Sequence, residues 1–141
     1  MTSPSLPPEI LDHIIDSLHD DPKTRRNCCL VAKSWIPRTR KHLFSYIRFS
    51  SSKHLESWKK TFPDPSNSPA YYASSMLVAC PEAVRVEDAA EGGWITSFSG
   101  VSCLELKASE DSLYQPETFL VPFRGFSPTL NSLHMDFMTL P

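Results

Sequence analysis

Apolar residues recur at Ile10, Leu11, Ile14, Ile15 and Leu18. Positions three, four and seven apart stack on one side of an α-helix, so the spacing predicts a first helix from about Pro8 to about His19. Pro7 and Pro8 suit a helix start, where the early N–H groups have no intrahelical partner, and Glu9 adds negative charge at the positive end of the dipole. The stripe is wider than one small neighbour would cover, so something further must bury the remainder. Asp20-Asp21-Pro22 breaks this helix and starts the next, with Asp21 as the cap. Thr24, Cys28, Val31, Ala32 and Trp35 continue at helical spacing, predicting a second helix that reaches Trp35. A short third helix is predicted from about Pro37 to Phe44, and Tyr46, Ile47 and Phe49 read as a strand.

Beyond Ser50-Ser51-Ser52, the spacing of Leu55, Trp58 and Phe62 predicts a fourth helix, and Asp64 to Pro69 reads as a flexible loop. Tyr72, Ala73, Met76, Leu77 and Cys80 predict a helical segment from Pro69 to about Cys80. The period then changes to two. Val84-Arg85-Val86, Val101 to Leu106 and Leu130 to Phe137 alternate apolar with polar. They share a frame in which Pro81, Val84 and Val86 form the first copy, spaced by about 20 and then about 29 residues, a leucine-rich-repeat period. Trp94 to Phe98 and Phe119 to Phe123 are the expected return segments, and Ala108 to Pro116 a second flexible connection. Leu140-Pro141 follows a strand with no polar capping repeat, so the chain is expected to be a piece of a longer array.

Composition adds limits. Of 141 residues, 40% are hydrophobic and 11% aromatic, enough for a real core, and the net charge of −2 names no partner. Thirteen prolines against four glycines fit many short elements separated by rigid turns. No apolar run reaches membrane-spanning length and no secretory signal opens the chain, so an intracellular protein, cytoplasmic and/or nuclear, is expected. Cys28, Cys29, Cys80 and Cys103 lack metal-ligand spacing and read as buried, reduced thiols, with a Cys80–Cys103 disulfide left open.

The chemistry-bearing residues form no catalytic or metal pattern. His13, His19, His42, His54 and His134 are scattered. Asp12 and Asp16, four apart, read as a solvated face. Ser99 and Ser102 around Gly100 make no nucleophile elbow, and no glycine-rich phosphate loop exists. An enzyme is not expected, nor a cofactor or metal. Lys23, Arg25, Arg26, Lys33, Arg38, Arg40 and Lys41 form a basic run without an acid, which reads as a solvated face because no recognition-helix motif accompanies it.

Taken together, Leu6-Pro7-x-Glu9-Ile10, Ile14, Leu18, Cys28-x-Leu30-Val31-x-x-Ser34-Trp35 and His42-Leu43-Phe44-x-x-Ile47 resemble the F-box, in the form found in mushroom-forming fungi. Arg25 departs from the pattern, standing where that family usually has an apolar residue. The resemblance covers the first third of the chain closely; the remainder is similar to irregular leucine-rich repeats in style. It implies an α+β fold: an N-terminal three-helix F-box-like module over residues 1–49, then a short, incomplete leucine-rich-repeat-like α/β solenoid over 50–141. The implied role is substrate receptor of an SCF-type cullin–RING ubiquitin ligase, with catalysis in other subunits. The partners would be a Skp-type adaptor and an unidentified protein substrate, with no nucleic acid or membrane. By position, Leu6, Pro7, Ile10, Leu11, Ile14, Leu30, Val31 and Trp35 would face the adaptor. From alternation alone, Arg85, Glu87, Glu105, Lys107, His134 and Asp136 are candidates for substrate contact. On periodicity alone the first helix reads first as an ordinary amphipathic core helix, and only the full string to Ile47 favours adaptor docking; Trp35 fits core and contact alike. A leucine-rich scaffold with a non-ligase helical cap is therefore the alternative, and a basic nucleic-acid-binding module a third.

Overall fold

The computed structural model describes residues 6–18, 20–109, 120–126 and 128–138. The fold mixes helix and strand, and the chain divides into two compact units, Met1–Ser45 and Tyr46–Pro141. The boundary falls four residues before the one read from sequence, because the strand at Tyr46 pairs with later strands.

The first unit holds three short helices: α1 (Pro8–Asp16), α2 (Pro22–Cys28) and α3 (Ile36–Leu43). Asp21 caps α2, its carboxylate accepting from the Thr24 N–H at 3.0 Å and from the Thr24 hydroxyl at 2.6 Å. Two predicted helices are shorter in the structure. α1 stops at Asp16, where the Ser17 hydroxyl turns back to the Ile14 carbonyl; His19 lies outside the described residues. α2 stops at Cys28, and Lys33–Trp35 is a separate 3₁₀ turn after extended Ala32. The helical spacing of Val31, Ala32 and Trp35 is therefore coincidental. The buried side chains of this unit are few: Leu11, Ile15, Cys28 and Thr39 among the described residues.

The second unit is built on a parallel sheet in the order β1 (Tyr46–Phe49), β2 (Ser75–Val78), β3 (Cys103–Ser109) and β4 (Ser132–Met138). Tyr46, Ser75, Cys103 and Ser132 are aligned across it, so successive strands start 29, 28 and 29 residues apart. Ser74 and Ser102 occupy equivalent places 28 residues apart. The carbonyl of each accepts two backbone N–H groups from the start of the next strand.

Two predictions fail here. Pro69 to Cys80 is not a helix: Pro69–Tyr72 is a 3₁₀ turn, followed by β2. Met76, Leu77 and Val78 are all buried, so β2 shows no alternation, and a short apolar run cannot be assigned by period alone. Val84–Val86 is not a strand: Val84 is buried after the Pro81–Ala83 turn, whereas Val86 is exposed and opens the 3₁₀ turn Val86–Ala89. The regular spacing therefore runs from β1 through β2, β3 and β4, and the 20-residue spacing disappears.

Between strands run α4 (Ser52–Thr61) and 3₁₀ turns that include Trp94–Ser97 and Val121–Phe126. Phe49, Trp58, Trp94 and Phe98 pack edge-on or tilted at centroid distances of 5.5–6.3 Å, with Phe62 tilted on Trp58 at 4.7 Å. Rings from β1, α4 and the connection between β2 and β3 thus share one core. The segment Asp64 to Pro69 is pinned rather than loose. Asp64 accepts from the Ser66 N–H and hydroxyl and from the Asn67 amide, at 3.0, 2.6 and 2.7 Å. In the other predicted flexible connection, Ala108 and Ser109 belong to β3 and residues 110–116 lie outside the described set. All four cysteines are free; Cys28 and Cys80 are buried as expected, but Cys29 and Cys103 are half-buried.

Candidate interaction surfaces

On α1 the apolar stripe splits. Leu11 and Ile15 point inward, while Ile10 is 47% exposed and Ile14 lies on the same outer side. Leu6 is 55% exposed just before the helix, beside exposed Pro7, whose carbonyl accepts from the Ile10 and Leu11 N–H groups. The turn after α2 places Leu30 and Val31 at 85% and 63% exposure. Of the eight residues assigned to the adaptor by resemblance, Leu6, Pro7, Ile10, Ile14, Leu30 and Val31 are exposed, and Trp35 is half-buried. Leu11 is corrected to a core residue, because it lies one position round the helix from Ile10 and is only 9% exposed.

Leu6, Ile10, Ile14, Leu30 and Val31 thus leave large apolar side chains in contact with solvent, and covering them with another apolar surface would be favourable.

The three helices are held together by a polar network that the sequence reading treated as solvent-facing. Asp16 at the end of α1 accepts from Arg38 Nε at 2.9 Å, from Arg38 Nη2, and from His42 Nε2 at 2.6 Å. Asp12 lies 3.9 Å from Arg38 Nε. From α2, Arg25 Nη1 donates to the His42 carbonyl at 3.3 Å. Arg25 thus ties α2 to the end of α3. The available signal was the matched i, i+4 spacing of Asp12/Asp16 and Arg38/His42, whose partnership across 22 residues no local rule reveals.

Arg38, first, and His42, second, hold the Asp16 carboxyl well below the usual carboxylate range. A depressed carboxylate stabilises the fold above its unfolded value of about 3.9, and that contribution is lost as pH falls through this value and below. Asp16→Asn is expected to lower the thermal midpoint at neutral pH and to flatten the acid limb between about pH 4 and 2. The shift is modest, because Asp16 is 36% exposed and solvent screens the pairs. Thermal melts of both chains across that range check it; parallel acid limbs would contradict it.

In the second unit the two sheet faces differ. Ile47, Phe49, Met76, Val78, Leu104, Leu106 and Ala108 turn to the buried side. The other face carries Tyr46, Arg48, Ser75, Leu77, Cys103, Glu105, Lys107, Ser132, His134 and Asp136. Four of the six substrate candidates thus come together: Glu105 is aligned with His134 and Lys107 with Asp136. Lys107 Nζ lies 3.7 Å from Glu105, and Ser132 Oγ lies 2.8 Å from His134 Nε2. Arg85 and Glu87 do not join them, because Val84–Val86 is not a strand; both are exposed around the Val86–Ala89 turn. Arg48 and Tyr46 on the same polar face went unnoticed in the sequence, although β1 itself was recognised.

Among the described residues no three His, Cys, Asp or Glu side chains group as a metal site, and no helix is long and apolar enough to cross a membrane. The basic run is divided by use: Arg38 pairs with Asp16 and Arg25 with a carbonyl, while Lys23, Arg26, Lys33, Arg40 and Lys41 remain exposed. Comparison with family models, with curated proteins and with solved structures found no match.

Proposed function

We propose that this chain is a substrate-receptor subunit of an SCF-type cullin–RING ubiquitin ligase. In this reading residues of the first unit form an F-box-like module that grips a Skp-type adaptor, and the second unit is a leucine-rich-repeat-like solenoid that presents its polar sheet face to a protein substrate. The observation that carries the reading is the exposure of Leu6, Ile10, Ile14, Leu30 and Val31 on a unit with few buried side chains. An apolar surface of this kind is completed by a partner's apolar helices, and burial is worth about 25 cal/mol per Å². The regular 28–29-residue strand spacing and the continuous parallel sheet support the second half.

The test is capture of the Skp adaptor by wild type and by an Ile10→Asp/Leu30→Asp double variant. Both side chains are exposed, so the variant is expected to keep the wild-type circular dichroism. Adaptor affinity is expected to fall by more than about 100-fold, the scale for replacing two central apolar anchors with charges. Leu11 is left native because a buried charge there would unfold α1 and confuse the result. Equal capture of both proteins rejects docking through this surface.

A further inference from the structure

We infer that the exposed apolar tip after α2 is rimmed by unpaired cations, Lys23, Arg26 and Lys33, and that it docks on a protein surface whose apolar groove is edged by Asp and Glu. The inference rests on the receptor reading and deepens it by naming the chemistry of the partner at that site.

Residues 22–44 contain seven Lys and Arg and no Asp or Glu. Two of the seven are engaged within the unit, Arg38 with Asp16 and Arg25 with the His42 carbonyl. Lys23, Arg26 and Lys33 are exposed, and among the described residues none of them forms an ion pair. The nearest acid along the chain, Asp21, is turned onto Thr24 as the cap of α2. Helix stability does not account for Lys23. It stands in the first turn of α2, at the positive end of the dipole, where a cation is disfavoured.

The backbone brings these cations to the apolar tip. Lys23 and Arg26, three apart, share the outer face of α2, since Thr24, Arg25 and Cys28 take the inner one. Past the helix the chain keeps turning: the N–H groups of Cys29, Leu30 and Val31 donate to the carbonyls of Arg26, Asn27 and Cys28 at 3.2, 2.9 and 3.2 Å. Leu30, 85% exposed, therefore stands one turn beyond Arg26. Lys33 follows Val31 by two residues across extended Ala32, about 7 Å at full reach. The order along the surface is cation, apolar, cation.

That order selects the occupant. Leu30 and Val31 gain from burial against apolar groups, and the cations around them are answered only where acids meet the edge of the same contact. A phosphate backbone would answer the cations but leave Leu30 and Val31 wet, so a protein fits better than a nucleic acid. Charges at the rim of such a contact act chiefly on encounter, drawing the partner in before the apolar centre closes.

The test is stopped-flow association of the full chain with the Skp-type adaptor between about 50 and 500 mM NaCl, a range that spans weak to nearly complete screening. The wild-type association rate constant is expected to fall by about tenfold across that range, with the dissociation rate held within about threefold. Lys23→Gln/Arg26→Gln/Lys33→Gln is expected to associate about tenfold more slowly at the low-salt end and to lose most of the salt dependence. Lys53→Gln/Lys60→Gln/Arg124→Gln removes the same charge from exposed positions of the second unit, and its rate is expected to stay within about twofold of wild type. Salt-independent association, or equal slowing by the two triple variants, overturns the inference and leaves apolar docking standing. A DNA duplex of about 20 base pairs that binds as tightly as the adaptor and needs the same three cations also overturns it. Absence of any association with the adaptor overturns the receptor reading and this inference together.

Discussion

Phe98→Ala is expected to destabilise the second unit by about 3–5 kcal/mol, the cost of deleting a fully buried aromatic ring from a core that cannot collapse around the gap. Phe98 is completely buried and its ring meets three others: Phe49 at 6.3 Å, Trp58 at 5.5 Å and Trp94 at 5.7 Å. Those rings come from β1, α4 and the Trp94–Ser97 turn, so each is tied to a different backbone element and none can slide into the hole alone. Native domains are stable by about 5–15 kcal/mol in total, so the loss removes a large fraction of that margin. Urea unfolding followed by tryptophan fluorescence reads it directly, because Trp58 and Trp94 report the same cluster. Phe62→Ala is the internal contrast: Phe62 is half-buried and meets Trp58 from one side, so a clearly smaller loss is expected. Equal losses at both positions would mean that Phe98 is not central.

The ring cluster also marks where sequence reading succeeded and where it stopped. Leu55, Trp58 and Phe62 announced α4 by their spacing, and Asp21-Pro22 announced the start of α2, since caps and periodicity are local signals. β3 and β4 were legible because one face of each is polar, leaving alternation at Glu105, Lys107, His134 and Asp136. β2 was not, because Met76, Leu77 and Val78 are buried together and a uniform run carries no period. Its place was filled by Val84-Arg85-Val86, an alternating triplet that the proline at position 81 and a 3₁₀ turn hold out of the sheet. The end of α2 failed for the opposite reason: Val31, Ala32 and Trp35 keep helical spacing across a turn that spacing cannot register. Among surface residues, the apolar character of Ile10 and Leu11 was plain, but which of two adjacent positions faces outward depends on how α1 rotates, and that is set by packing. The Asp16–Arg38–His42 network joins partners 22 and 26 residues apart, which no single-sequence pattern encodes.

Gly93→Ala is expected to be the most damaging of the small substitutions in the second unit, at about 1–3 kcal/mol or somewhat more, the range for forcing atoms into filled space. A Cβ at Gly93 would stand 2.2 Å from the Asp88 carbonyl oxygen, 2.6 Å from its carbon and 2.9 Å from the Ala90 oxygen. These are backbone atoms, so no side chain can rotate away; the turn itself must open. That turn is fixed at both ends: the Gly93 N–H donates to the Ala90 carbonyl at 2.8 Å, and Asp88 pairs with Lys59 of α4 at 3.1 Å. Opening it also shifts Trp94, the next residue, out of the ring cluster. Neighbouring Gly92 supplies a different comparison. It has open space around it but φ of +78°, so Gly92→Ala costs about 1–2 kcal/mol through backbone strain alone. Differential scanning calorimetry of both variants should therefore show a larger fall in the midpoint for Gly93→Ala, accompanied by a change in Trp94 fluorescence that Gly92→Ala lacks. A wild-type melting temperature for Gly93→Ala would mean that the Asp88–Gly93 turn opens readily enough to admit a Cβ, and that it does not clamp Trp94.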